Sequence, residues 1–306
     1  MRTILLWMAR NPWLKERVPR WPFVRRAVRS FLPGEDLEAA ITAAQATRSA
    51  GITAAFTRLG ENVTDLVEAQ AVADHYRTVL DEIAARGLDA EVSIKLTQLG
   101  YDLDVDAAFE HFDAIARRAG EIGTWAWIDM EGSAYVEGTI AFYERARAAH
   151  PNVGLCLQAY LHRTPADVQR LLPIEPAIRL VKGAYDEPAT IAYRARHEVD
   201  AAFLAIAATF APAVRAGTAR FMAGTHDIDL IEQIARFGRA IGLEPGQIEV
   251  EMLYGVRADQ QRRLAARGFD VRCLIAYGEH WYPWYMRRLA ERPANVIFAV
   301  RQVLPW

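Results

Sequence analysis

"IRLVKGAY", residues 178–185, reads as a strand buried on both faces that stops abruptly. Ile178, Leu180 and Val181 leave no polar face, as expected of a parallel strand covered on both sides. Yet Arg179 stands inside the run, and Lys182, Gly183 and Ala184 close it. Unpaired charges are kept out of interiors because desolvating them costs several kcal/mol, roughly. Arg179 therefore either meets a structural carboxylate or is carried by the strand to an anionic ligand.

The same kind of run recurs along the chain. Short β-rich stretches end near residues 57 (ITAAFT), 96 (AEVSIKL), 130 (WAWIDM), 158 (VGLCLQ), 183 (AIRLVKG), 224 (ARFMAG), 252 (IEVEM) and 277 (VRCLIAY). Helical periodicity fills the intervals, for example 62–86, 104–121, 133–149, 187–210, 227–241 and 257–267. Strands alternating with helices imply parallel pairing and right-handed crossovers. Eight such runs fit an α/β chain folded as a (β/α)8 TIM-type barrel. A doubly wound sheet would want a glycine-rich turn after its first strand, and no G-x-G-x-x-G occurs.

Length and composition agree. The chain has 306 residues, 52% of them hydrophobic, which is enough for one large barrel core. A formal net charge of −2 gives no reason to expect nucleic acid. Cys156 and Cys273 lie far apart in apolar segments, as suits a reducing cytoplasm, and form no zinc pattern. No apolar run reaches the length of a membrane span, and no cleavage site follows an apolar start, so neither a span nor a signal peptide is expected.

Residues 1–34 differ from the barrel that is expected over 35–306. They hold three of the eight Trp, with seven Arg and one Lys against a single Glu16. Pro12, Pro19 and Pro22 divide this helical N-terminal arm, and Pro33-Gly34 ends it. Such an arm can lie on an anionic membrane surface. It can also pack on the body, with Trp and Leu buried and the arginines solvated.

In barrels of this kind, active sites gather at the C-terminal ends of the strands. Those ends carry Lys95, Asp129, Gln158, Arg179 with Lys182, Thr225 with His226, Glu251 and Tyr277. Each has a plain alternative: a rim lysine for Lys95, a helix cap for Asp129, a structural histidine for His226, and an N-cap for the neighbouring Asp227. What argues for chemistry is that all of them would face one mouth. No metal-ligand spacing and no nucleophile elbow is present. After the eighth strand, "WYPWYMRRLAERPAN" (281–295) reads as a helix in which Arg287 and Glu291 share a face, with Arg288 about 100° away. Two adjacent guanidinium groups make a suitable clamp for a carboxylate.

On these residues the sequence resembles proline dehydrogenases of the short monofunctional bacterial type, and the barrel domain of proline utilization A. The matching stretches are "FTRLGENVTD" (56–65), "SIKL" (93–96), "IDMEGS" (128–133), "CLQAYLHRT" (156–164), "RLVKGAY" (179–185), "GTHD" (224–227), "EMLYGVR" (251–257) and 281–295. The resemblance implies oxidation of L-proline to Δ1-pyrroline-5-carboxylate by hydride transfer to N5 of FAD, followed by electron transfer to a quinone or another acceptor. It places Lys95, Arg287 and Arg288 on the proline carboxylate, with Asp129 ordering the site. Arg179 falls near N5, where a preorganised cation stabilises negative charge. Met130, Gln158, Lys182, Gly183, Ala184, Thr225, His226 and Glu291 fall along the cofactor.

It further implies a cytoplasmic enzyme, peripheral at the inner membrane if the arm binds there, with a separate pyrroline-5-carboxylate dehydrogenase as partner. Two positions depart from the family pattern. Leu274 stands where the family usually has a tyrosine against the proline ring, with Tyr277 three residues on; Glu251 stands where glutamine is expected. The alternatives kept open are a flavin barrel for another cyclic amine or imino acid, and an amino-acid-binding barrel without turnover.

Overall fold

The computed structural model describes residues 30–291 without a break and, ahead of them, residues 7, 8, 11–18, 21 and 28; the side chains of residues 12, 15, 16 and 287–291 lie outside that description. Eight parallel strands close into a barrel in chain order: β1 Ile52–Arg58, β2 Ala90–Ile94, β3 Ala126–Ile128, β4 Val153–Gln158, β5 Ala177–Val181, β6 Arg220–Gly224, β7 Glu249–Leu253 and β8 Asp270–Tyr277. β8 pairs with β1 from Ile52↔Val271 to Arg58↔Tyr277, which closes the ring. Closure removes every strand edge.

Helices cover the outside: Leu37–Arg48 before β1, then Leu66–Ala85, Val105–Glu121, Val136–Ala149, Thr164–Leu171, Arg196–Ala216, Ile228–Ala240 and Ala258–Ala266 as crossovers, and Trp281–Glu291 after β8. Asp36, Asp65 and Asp104 start three of them by accepting backbone N–H groups of the first turn. Two differences from the periodicity are instructive. Thr164–Leu171 is a short crossover of only eight residues. The helix anticipated from 187 begins at Arg196, because Pro188 lies in a loop whose backbone is tied to Tyr160 and His162. That helix, Arg196–Ala216, is long and apolar enough to cross a membrane by length and composition. In the fold it is the β5–β6 crossover, with Phe203, Ile206 and Phe210 buried in the main core.

Inside the barrel the lower half is ionic rather than aliphatic. Arg220 bonds Glu249 at 2.7 Å and lies 2.7 Å from Glu91; Arg272 lies 3.3 Å from Glu91, whose other neighbour is the Trp127 indole N–H at 2.6 Å. Buried Arg272 and Glu91 thus join half-buried Arg220 and Glu249, and the guanidinium of Arg220 also stacks 5.1 Å over the Trp127 ring. Paired this way, the charges fill the barrel without an uncompensated ion. Gly154, opposite Trp127 in the register, leaves the space that the indole occupies.

Ahead of the barrel, Val18, Val28 and Leu32 are buried against Trp281, Tyr282, Trp284, Tyr285 and Met286. Trp7, Trp13 and Trp21 are exposed, and the arm's buried contacts among the described residues are the aliphatic Val18, Val28 and Leu32.

Candidate active site

Strand parity decides what reaches the barrel's interior. Cys156, Arg179 and Met222 are paired across β4, β5 and β6, and Glu251 pairs with Arg272 across β7 and β8. Arg179 comes off the middle of β5 and is 2% exposed. Its Nη1 donates to Oε1 of Glu251 at 3.0 Å, and its Nη2 donates to the Ser93 hydroxyl at 2.9 Å and to Oδ1 of Asp129. Of the two fates open to this arginine, the structure supplies the carboxylates.

Asp129 is the hub. Just past β3, it accepts from Ser93 Oγ at 2.6 Å and, through its other oxygen, from Lys95 Nζ at 3.4 Å. It caps no helix. Burial would raise its carboxyl, but Arg179, Lys95 and Ser93 outweigh that and hold it down at about 2. Lys95 is thus a paired, mostly buried lysine rather than a solvated rim residue. Cys156 lies beside Arg179, and burial pushes its thiol up.

Around this centre stand the other expected residues. Gln158 is buried, donates to the Glu131 carbonyl at 2.7 Å, and keeps its Oε1 without a hydrogen-bond partner among the described residues. Met130 has its side chain in the apolar core, which leaves its backbone for the mouth. Lys182 bonds Asp200 and, at 2.8 Å, Asp227, and Arg196 reaches the same Asp227 oxygen at 2.8 Å. Asp227 sits at the N-cap position of its helix, but its carboxylate makes no cap and serves these cations instead. They hold it at about 2 although burial pushes the other way.

Gly183 has φ +119°, and a Cβ there would run into the Tyr160 ring, so only glycine fits. Ala184 follows it, half-buried. Thr225 is buried, with Oγ1 accepting from the Asp227 N–H at 3.2 Å; His226 Nε2 accepts from the Leu253 N–H at 2.9 Å. Arg287, Arg288 and Glu291 lie on the helix after β8, with side chains outside the described residues.

Leu274 lies two residues beyond the inward-facing Arg272 and pairs with Leu253 and Ala55, so it faces the lumen. Tyr277 has the opposite parity. Its hydroxyl is 2.7 Å from His75 Nε2, on the helix outside the wall.

Several participants were not singled out by the sequence. Ser93 is two residues before Lys95 on one strand face, a period-two signal that would have found it. Glu131 follows Asp129 by two; it accepts from the Thr97 N–H at 3.2 Å and the Thr97 hydroxyl at 2.9 Å, and burial, against the pull of Lys95 and Thr97, raises its carboxyl to about 7. Asp200 left no sequence signal toward Lys182.

This donor set suits a flat, polar, anion-bearing cofactor. An orphaned buried amide oxygen at Gln158, a fixed cation at Arg179 and a lysine beside a Cβ-free glycine lie on the neighbouring strands β4 and β5 and just past them. Among the described residues, no cluster of His, Cys, Asp and Glu could hold a metal ion.

A family model described as proline dehydrogenase matches residues 40–301. Proline dehydrogenase 1 of Bacillus subtilis (strain 168) is 31% identical over 304 residues, 99% of each chain. Proline dehydrogenase of Deinococcus radiodurans is 34% identical over 310 residues, covering 99% of this chain and 97% of that one. Among solved structures, proline utilization A from Bdellovibrio bacteriovorus, inactivated by N-propargylglycine, aligns with a TM-score of 0.81 at 19% identity. It covers 94% of this chain, which spans 38% of that longer protein, and the likeness is one of fold.

Proposed function

The chain belongs to the proline dehydrogenase family, and on that premise we propose that it oxidises L-proline to Δ1-pyrroline-5-carboxylate, with FAD as its bound cofactor and a quinone as the electron acceptor. The observation that carries the reading is the charge group inside the barrel: Arg179 held between Asp129 and Glu251, with Lys95 3.4 Å from Asp129.

When bound, FAD supplies the hydride acceptor and the route by which electrons leave. Gln158, Lys182, Gly183, Ala184, Thr225, His226, Glu291 and the backbone of Met130 would hold it, and Arg179 would serve its redox-active ring. Lys95, Arg287 and Arg288 would bind the substrate carboxylate, and Leu274 would pack against the proline ring. Asp129 orients Lys95 and Arg179 together, so the carboxylate site and the cofactor site share one anchor. The product's double bond joins nitrogen to the ring carbon that lacks the carboxylate. Clamping the carboxylate therefore fixes which C–H faces the acceptor, a gain in orientation rather than a new chemical group.

The test is optical. Purified protein should carry a flavin absorbance that bleaches on anaerobic addition of L-proline and returns with a soluble quinone. Protein that carries no flavin and binds none on reconstitution would overturn the reading. Arg288→Met should raise the Michaelis constant for proline with flavin retained.

The proposal extends to location: a cytoplasmic enzyme touching the inner membrane through residues 1–34, its product passing to a separate pyrroline-5-carboxylate dehydrogenase. Exposed Trp7, Trp13 and Trp21 support the membrane contact. Sedimentation with anionic vesicles, lost on deleting the arm, is the expected result.

A further inference from the structure

Glu251 is 5% exposed in the middle of β7, with Arg179 on one side at 3.0 Å and Arg272 paired to it in the β7–β8 register. Its Oε2 has no hydrogen-bond partner among the described residues. Both ends of the Arg179 fork are thereby engaged, Nη1 by Glu251 and Nη2 by Asp129 and Ser93. Lys95 and Arg179 bring two cations to Asp129, and Glu251 sets a second carboxylate beside Arg179, which burial pushes up and Arg179 and Arg272 pull back down. This second carboxylate draws on the cation that an anionic flavin would need. Interactions of this kind are strong where water is excluded.

We propose that Glu251 is a positioning residue that fixes Arg179 and offsets its charge toward the flavin, making this chain a weaker binder of the reduced, anionic cofactor than one with a neutral residue at 251. The inference rests on the flavin-dependent reading above. Asp129 differs from it in being shared between Lys95 and Arg179. Among the described residues Glu251 hydrogen-bonds Arg179, which makes that arginine its nearest route to the site.

The experiment compares wild-type, Glu251→Gln and Glu251→Asp holoenzymes by flavin content, sulfite titration and flavin midpoint potential, at mildly acidic and mildly basic pH. Sulfite is an anion that adds to oxidised flavin and reports the charge of its surroundings. Glu251→Gln should bind sulfite about tenfold more tightly and shift the oxidised–reduced equilibrium by the same factor, ~30 mV upward for a two-electron couple. Glu251→Asp keeps the charge and should stay near wild type. Equal affinities and potentials in wild type and Glu251→Gln would overturn the proposal, as would equal shifts in both variants, which mark a packing effect. Loss of flavin from Glu251→Gln would also overturn it, since removing a negative charge beside Arg179 should not loosen the cofactor. Wild-type protein without flavin is a different outcome, which defeats the functional reading itself.

Discussion

Leu274 and Tyr277 stand three residues apart on β8 and face opposite sides of the barrel wall. Leu274 is directed to the lumen beside Leu253, while Tyr277 meets His75 at 2.7 Å outside it. Burial and the nearby Arg58 depress His75 to about 4, so at neutral pH this is a hydrogen bond between uncharged groups. Leu274→Tyr should therefore change proline affinity more than flavin content, and should affect hydroxylated prolines differently from proline. Tyr277→Phe should leave both substrates alone and cost about 1 kcal/mol of stability. Reductive half-reactions with the two ligands, and denaturant melts, check this. An unchanged ratio in Leu274→Tyr would put residue 274 outside the substrate pocket.

The Gly183 backbone lies against the Tyr160 ring at φ +119°. Gly183→Ala adds a methyl where the ring stands and imposes a strained backbone, and overpacking alone costs about 1–3 kcal/mol. The variant should melt earlier and retain less flavin. Shrinking the ring with Tyr160→Leu should recover only part of the loss, because the backbone strain remains. Full recovery would show that the clash alone dictates glycine.

The barrel was legible because each strand announces itself as an apolar run with a polar end, a local pattern. The candidate site was legible where one residue type stands out against such a run, as Arg179 does between Ile178 and Leu180. Partners were harder. Ser93 bonds Arg179 across 86 positions and Glu251 bonds it across 72, contacts set by the register of a closed sheet rather than by spacing. The same holds for the lower lattice of Glu91, Arg220, Glu249 and Arg272, where four charges far apart in sequence become one compensated group. Asp227 shows the limit of local rules: it occupies a capping position, yet two cations claim its carboxylate.

Lys182 is held by Asp200 and Asp227, which makes it both a strut and a candidate phosphate contact. Lys182→Ala should weaken flavin binding by roughly 1–3 kcal/mol if a charge-assisted bond is lost. Asp200→Asn releases one competitor and should hold or tighten flavin binding. Reconstitution of apoprotein with FAD measures both. A Lys182→Ala variant with a lower melting temperature and unchanged flavin affinity would leave the lysine as a strut only.

Glu131 gives the fold a pH dependence of unusual sign for a carboxylate. Burial, only partly offset by Lys95 and Thr97, raises it from 4.5 to about 7. Below 4.5 the folded and unfolded chains both carry its proton. As pH rises from there to about 7 the unfolded chain releases the proton first, so Glu131 lowers stability through that window, by on the order of 2–4 kcal/mol. Asp129 and Asp227, held at about 2, act oppositely and elsewhere: their contribution is full above the ordinary aspartate range and is lost as pH falls toward 2. The two effects occupy separate windows. Glu131→Gln keeps one acceptor for Thr97, and the hydroxyl can turn to accept from the new amide. Denaturant unfolding at stepped pH should show wild-type stability falling between 4.5 and 7 and the glutamine variant level there, more stable on the alkaline side. Ionised Glu131 also competes with substrate for Lys95, so the Michaelis constant for proline should climb across the same interval in wild type alone. Parallel stability curves for the two proteins would mean that Glu131 titrates like an ordinary surface carboxylate.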